Sequence, residues 1–211
     1  MTLDVPFLRD DRIEAAAALL WTEFGRGFGS PVAPPMPVDQ LLELHLRLDF
    51  EIRDLQAELG LPDVHGAIWV QDRRVAVDRH LDPELRPAAR GRYHFTVAHE
   101  IGHWQLHRHL FGDAGGRTPD FVGQGRGRSR VEIQADRFAA SLLMPLPMLV
   151  HAWTEIHGEH PRRSGRWRGW QPGPAEGLAF SRPLAELFEV SAAAMRYRLE
   201  GCGLLPRARP A

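Results

Sequence analysis

Two histidines four residues apart, with a glutamate directly after the first, lie in a segment that reads as helix: Phe95-Thr-Val-Ala-His99-Glu100-Ile-Gly-His103-Trp-Gln-Leu-His107. Residues four apart on an α-helix are rotated by only about 40°. Both imidazoles therefore project from one face and can grip one metal ion. Glu100 lies about 100° further round, beside such an ion without needing to join it. A general base for an activated water belongs there. Two ligands do not complete a catalytic site, so a third has to come from a distant segment.

Val131-Glu132-Ile-Gln-Ala-Asp136-Arg-Phe-Ala-Ala offers it. Glu132 and Asp136 stand at i and i+4, on one face with Ala135, Ala139 and Leu143. Two carboxylates on an apolar face are costly without partners. Glu132 as a ligand, with Asp136 accepting the N–H of a ligand histidine, satisfies both. The alternative is a solvated pair in a first helical turn, where acids suit the macrodipole.

His107 continues the series but has drifted about 80° from His99. A fourth protein ligand would close the site, so it is assigned a structural or ligand-supporting place. His94 and His109 fall off the face, and His151, His157 and His160 form a loop-side cluster. Gly102 leaves room for a neighbouring backbone or serves packing. Tyr93 is a candidate oxyanion donor, beside nearby His and Arg side chains.

The blocks Phe95-Thr-x-Ala-His-Glu-x-Gly-His and Glu132-x-x-Ala-Asp-x-Phe-Ala-Ala-x-Leu-Leu-Met-Pro145 together resemble the ImmA/IrrE family of zinc metallopeptidases, over roughly residues 66–145. The resemblance implies a zincin-like core with one Zn2+ held by His99, His103 and Glu132, and Glu100 as catalytic acid/base. It also implies site-specific cleavage of a helix-turn-helix repressor in a stress or mobile-element response. The alternative is a DNA-associated regulator or repressor-binding antagonist whose metal site is structural.

The rest of the chain reads as α+β, mostly helical with a small sheet. A helical segment (1–65) precedes the catalytic core (66–157), and a loop with a helical, helix-turn-helix-like module (158–211) follows. In the first, Ile13, Ala16, Ala17 and Leu20 share a helix face, and a Gly/Pro-rich break begins at Gly25. Leu41, Leu44, Leu48, Ile52, Leu55 and Leu59 then predict one helix from Asp39 to Gly60. Ala67-Ile-Trp-Val and Val75-Ala-Val predict a hairpin, able to lend an edge to an extended substrate. Residues 112–130 hold six glycines and read as a loop, a candidate gate for the cleft. In the C-terminal module, Ser191 caps a second helix that begins with three alanines and carries Arg196 and Arg198 later. That is thin equipment for reading bases.

Composition narrows the classes further. With 44% apolar and 25% charged residues the chain is globular. Its best apolar run, Ala139 to Val150, contains Ser141, Pro145 and Pro147, so no membrane span is expected. The start lacks a basic stretch leading into an apolar core, so no signal peptide is expected. The lone Cys202 fits a reducing cytoplasm. A net charge of −1 gives no general attraction for nucleic acid. Oligomeric state is not encoded in any of these features.

Overall fold

The computed structural model describes residues 5–28, 33–110, 119, 121–124, 129–158 and 173–207. Helix α1 (Asp10–Phe28) buries Ile13, Ala17, Leu20, Trp21 and Phe24. It passes through Gly25 and Gly27, where a break was expected.

Residues 38–60 depart most from the periodicity. Instead of one helix, the chain makes α2 (Val38–Gln40), a π-helical turn (Leu41–His45), strand β1 (Asp49–Arg53) and α3 (Leu55–Leu59). Leu44 is 65% exposed, so the leucines do not form one buried stripe. Arg47, at φ 55°, turns the chain out of helix. The Arg73 guanidinium holds that turn through the carbonyls of Leu46 and Arg47, at 2.7 and 3.1 Å. Beyond it, β1 pairs parallel with β3 (Arg74–Asp78), a tertiary contact that overrides local preference. Asp54 caps α3 by accepting from the Ala57 N–H. Gly60, at φ 64°, ends α3 as the sequence indicates.

The expected hairpin forms between β2 (Val64–Trp69) and β3, with Ala67 opposite Ala76 and Ile68 opposite Val75. A fourth strand, β4 (Phe121–Gln124), pairs antiparallel with β2 inside the stretch read as loop. The sheet order is β1-β3-β2-β4. Both outer edges of the hairpin are therefore paired, and it cannot lend one to a substrate strand. Most of the remaining stretch, 111–118, 120 and 125–128, lies outside the described residues, and with it the expected gate.

Helix α4 (Arg90–His107) is buried along most of its length, between the sheet and α5 (Arg130–Leu143). Gly102 sets that approach. A Cβ there would stand 3.1 Å from the Ala135 carbonyl and 3.2 Å from its Cα, so a neighbouring backbone does occupy the space. Ser129 caps α5 by accepting from the Glu132 N–H, and α1 packs on the helix, its Trp21 Nε1 donating to the Leu142 carbonyl. Helix α6 (Leu146–His157) begins after Pro145 and carries His151 and His157, which were expected on a loop.

At the C-terminal end, α7 (Pro174–Leu187) starts earlier than the sequence suggests and contains Pro183. Ser191 caps α8 (Ala192–Gly201) as expected. The turn between them lies on α4: a Cβ at Gly91 would be 2.8 Å from the Ser191 nitrogen. One hydrophobic core joins side chains from Val5 to Leu205. The fold is α+β, as read. Among the described residues, no helix is long and apolar enough to cross a membrane.

Candidate metal centre

The close crossing of α4 and α5 brings His99, His103 and Glu132 together, each offering a ligand atom within 4.8 Å of the others. The two Nε2 atoms are 3.0 Å apart. Glu132 places one carboxylate oxygen 3.1 Å from His99 Nε2 and the other 3.4 Å from His103 Nε2. For metal–ligand bonds of about 2.0–2.1 Å, the edges of a tetrahedron are about 3.3–3.4 Å. The observed separations lie close to that.

The far nitrogens are occupied too. His99 Nδ1 lies 3.0 Å from Asp136 Oδ1, a contact that ties this imidazole to α5. Glu132 and Asp136 sit on the flank of α5 rather than facing its core, and the Asp136 side chain is 41% exposed. The buried face carries Val131, Gln134, Ala135 and Phe138 instead. His103 Nδ1 is 3.2 Å from His107 Nδ1. His107 thus contacts a candidate ligand and stands outside the ligand cluster.

Glu100 is fully buried, and neither carboxylate oxygen has a hydrogen-bond partner among the described residues. Burial raises its pKa to about 8, with the charge on His99 opposing and that on Glu132 adding. Burial alone would lower His99, but its bonds to Asp136 and Glu132 outweigh this and raise it to about 10. Burial lowers His103 to about 4. For Glu132 burial pushes upward, yet the imidazoles of His103 and His99 beside it hold it well below the usual carboxylate range. The cluster attracts one positive charge, which a proton on His99 supplies without metal and a divalent cation can replace.

Tyr93 does not serve as expected. Its hydroxyl donates to Asp39 Oδ1 at 2.6 Å, which engages the one proton an oxyanion would need. Asp39, inside the short helix α2, is thereby a partner of α4. His94 Nδ1 lies 3.1 Å from the Glu189 carbonyl, tying α4 to the turn before α8. His109 and His151 are exposed. His157 Nε2 lies 3.0 Å from the Phe180 carbonyl, and His160 is outside the described residues.

Three residues near the centre escaped sequence reasoning. Phe121 stacks on the His103 ring at 4.0 Å between centroids. Gly66 makes room for Glu100, since a Cβ there would be 2.6 Å from Oε1. Gln134 approaches His107 Nε2 at 2.9 Å. Only Gln134 left a signal, a polar side chain at helical spacing from Val131 and Phe138 on a buried face.

No curated protein is similar enough to the chain to count as a match. The IrrE N-terminal-like domain (Peptidase_M78) matches residues 47–200, which span β1 through most of α8 and hold the whole cluster. The chain belongs to the Peptidase_M78 family of IrrE N-terminal-like domains.

Proposed function

We propose that the chain is a zinc-dependent endopeptidase of the cytoplasm that cuts a helix-turn-helix repressor at a defined site in a stress or mobile-element response. One observation carries the peptidase reading: three electron-pair donors converge beside a buried glutamate that has no hydrogen-bond partner among the described residues. Membership in a peptidase family supports it.

His99, His103 and Glu132 would hold one ion per chain, and two imidazoles with a carboxylate suit zinc while leaving a position open. When bound, the ion supplies Lewis acidity, polarising a peptide carbonyl and making water nucleophilic near neutral pH. Glu100 takes a proton from the attacking water and passes it to the leaving amine. A carboxyl with raised pKa suits both halves of that transfer. Asp136 keeps the His99 ring oriented, and Phe121 covers one face of His103.

The repressor substrate rests on the family resemblance. What supports a packing role for the C-terminal helices over DNA reading is the state of their arginines. The Arg198 side chain is 12% exposed and pairs with Glu14, and Arg196 lies 3.6 Å from Glu200.

The test is incubation with the helix-turn-helix repressor encoded beside this chain, with and without chelator, followed by fragment masses. Two chelator-sensitive fragments are expected, and none with Glu100→Gln, which should retain metal. Full activity in Glu100→Gln would overturn the enzymatic assignment. No fragments from the wild type under any condition would overturn the repressor as substrate.

A further inference from the structure

A chain of hydrogen bonds runs from the metal cluster to the N-terminal segment. His103 Nδ1 lies 3.2 Å from His107 Nδ1, His107 Nε2 lies 2.9 Å from Gln134 Oε1, and Gln134 Nε2 donates to the Pro6 carbonyl at 2.8 Å. His103, His107 and Gln134 are all buried. Arg130 donates to the adjacent Val5 carbonyl at 3.0 Å, fixing this segment on α5. Residues 5 and 6 precede the family match at 47–200.

The donor and acceptor roles follow from the far end. A backbone carbonyl only accepts, so Gln134 must turn its amide N–H groups toward Pro6 and its oxygen toward His107. That oxygen needs a donor, which makes His107 Nε2 the protonated nitrogen. His107 is completely buried and, among the described residues, hydrogen-bonds to His103 and Gln134 and to no acid, so its ring is neutral. A neutral imidazole with its proton on Nε2 accepts at Nδ1. His103 must then donate from its own Nδ1, which leaves its Nε2 as a bare lone pair directed at His99 and Glu132.

We infer that His107 and Gln134 are positioning residues, which with the Pro6 carbonyl fix His103 in the tautomer able to bind metal. Losing the relay frees His103 to place its proton on Nε2, where it blocks ligation. Partners of ligand histidines typically contribute 10–100-fold to metal affinity. This inference deepens the proposed metal site and rests on it for its functional meaning, although the tautomer itself is a property of the metal-free chain.

Two measurements on the full-length protein test it. Nitrogen-15 NMR of the His103 ring, without metal, should show a protonated Nδ1 and an unprotonated Nε2. Zinc affinity, measured by chelator competition, should fall about 10–100-fold in His107→Phe and less in Gln134→Leu. His107→Gln should restore most of it, because an amide can both accept from His103 and donate to Gln134. A purely structural role would not be rescued in that order. An Nε2-protonated His103 in the wild type, or unchanged zinc affinity in Gln134→Leu and any folded His107→Phe, would overturn the relay while leaving the metal site intact. Should the wild type bind no metal and still show the Nδ1-protonated tautomer, the relay stands and the metal reading falls.

Discussion

Gly66 on β2 lies directly against the carboxylate of Glu100 on α4. A Cβ at position 66 would stand 2.6 Å from Glu100 Oε1 and 2.7 Å from Thr96 Cγ2. The second contact decides the outcome, because a glutamate end can swing aside while a β-branched threonine packed beneath a sheet is stiff. Gly66→Ala is therefore expected to cost about 1–3 kcal/mol of stability, the usual range for overpacking. It should also displace Glu100, so peptide cleavage falls while metal content stays at one ion per chain. Urea unfolding, metal analysis and cleavage rates check this together. Wild-type stability and rate in the variant would contradict it.

Gly102 plays the corresponding part on the opposite side of α4. Replacing a helix-interior glycine with alanine ordinarily gains about 1 kcal/mol. Here the new Cβ meets the backbone of Ala135 at 3.1–3.2 Å and Phe138 Cβ at 3.3 Å, and backbone cannot rotate out of the way. Overpacking of about 1–3 kcal/mol outweighs the propensity gain. Gly102→Val is expected to lose more stability than Gly102→Ala, and to weaken zinc binding by moving Glu132 away from the histidine pair. Calorimetric titration of both variants gives the answer. Tighter zinc binding in Gly102→Val would show that this crossing does not set the ligand spacing.

A pH dependence follows from Glu100. Its ordinary pKa is 4.5, and burial raises it to about 8 in the folded metal-free chain. Between those values the folded state keeps a proton that the unfolded state has released. Stability contributed by this group therefore falls as pH rises from about 4.5 to about 8. Glu100→Gln removes that slope. In chelator, the variant should gain on the wild type across this range by up to a few kcal/mol, measured by urea unfolding at successive pH values. A constant difference between the two proteins would contradict the assignment of the buried carboxyl.

The convergence of the candidate ligands was legible because its parts obey short-range geometry. His99 with His103 and Glu132 with Asp136 are each fixed by helical spacing alone, and a carboxylate pair beside apolar positions asks for partners. What the sequence concealed depends on contacts between distant segments. The leucines from Leu41 to Leu59 satisfy a helical period, but Arg73 and strand β3 turn Asp49–Arg53 into a strand. Phe121 sits in a glycine-rich stretch and becomes a strand residue over His103 only through pairing with β2. The Pro6 carbonyl could not be foreseen at all, since backbone groups carry no sequence signature. Tyr93 misled for the same reason, its hydroxyl being engaged by Asp39, 54 residues away.

Anomalous diffraction at the zinc edge, from crystals of zinc-loaded protein, tests the central claim most directly. The account predicts one strong peak per chain, about 2.0–2.2 Å from Nε2 of His99, Nε2 of His103 and a carboxylate oxygen of Glu132. No peak at this cluster, or a peak held by other residues, would contradict it.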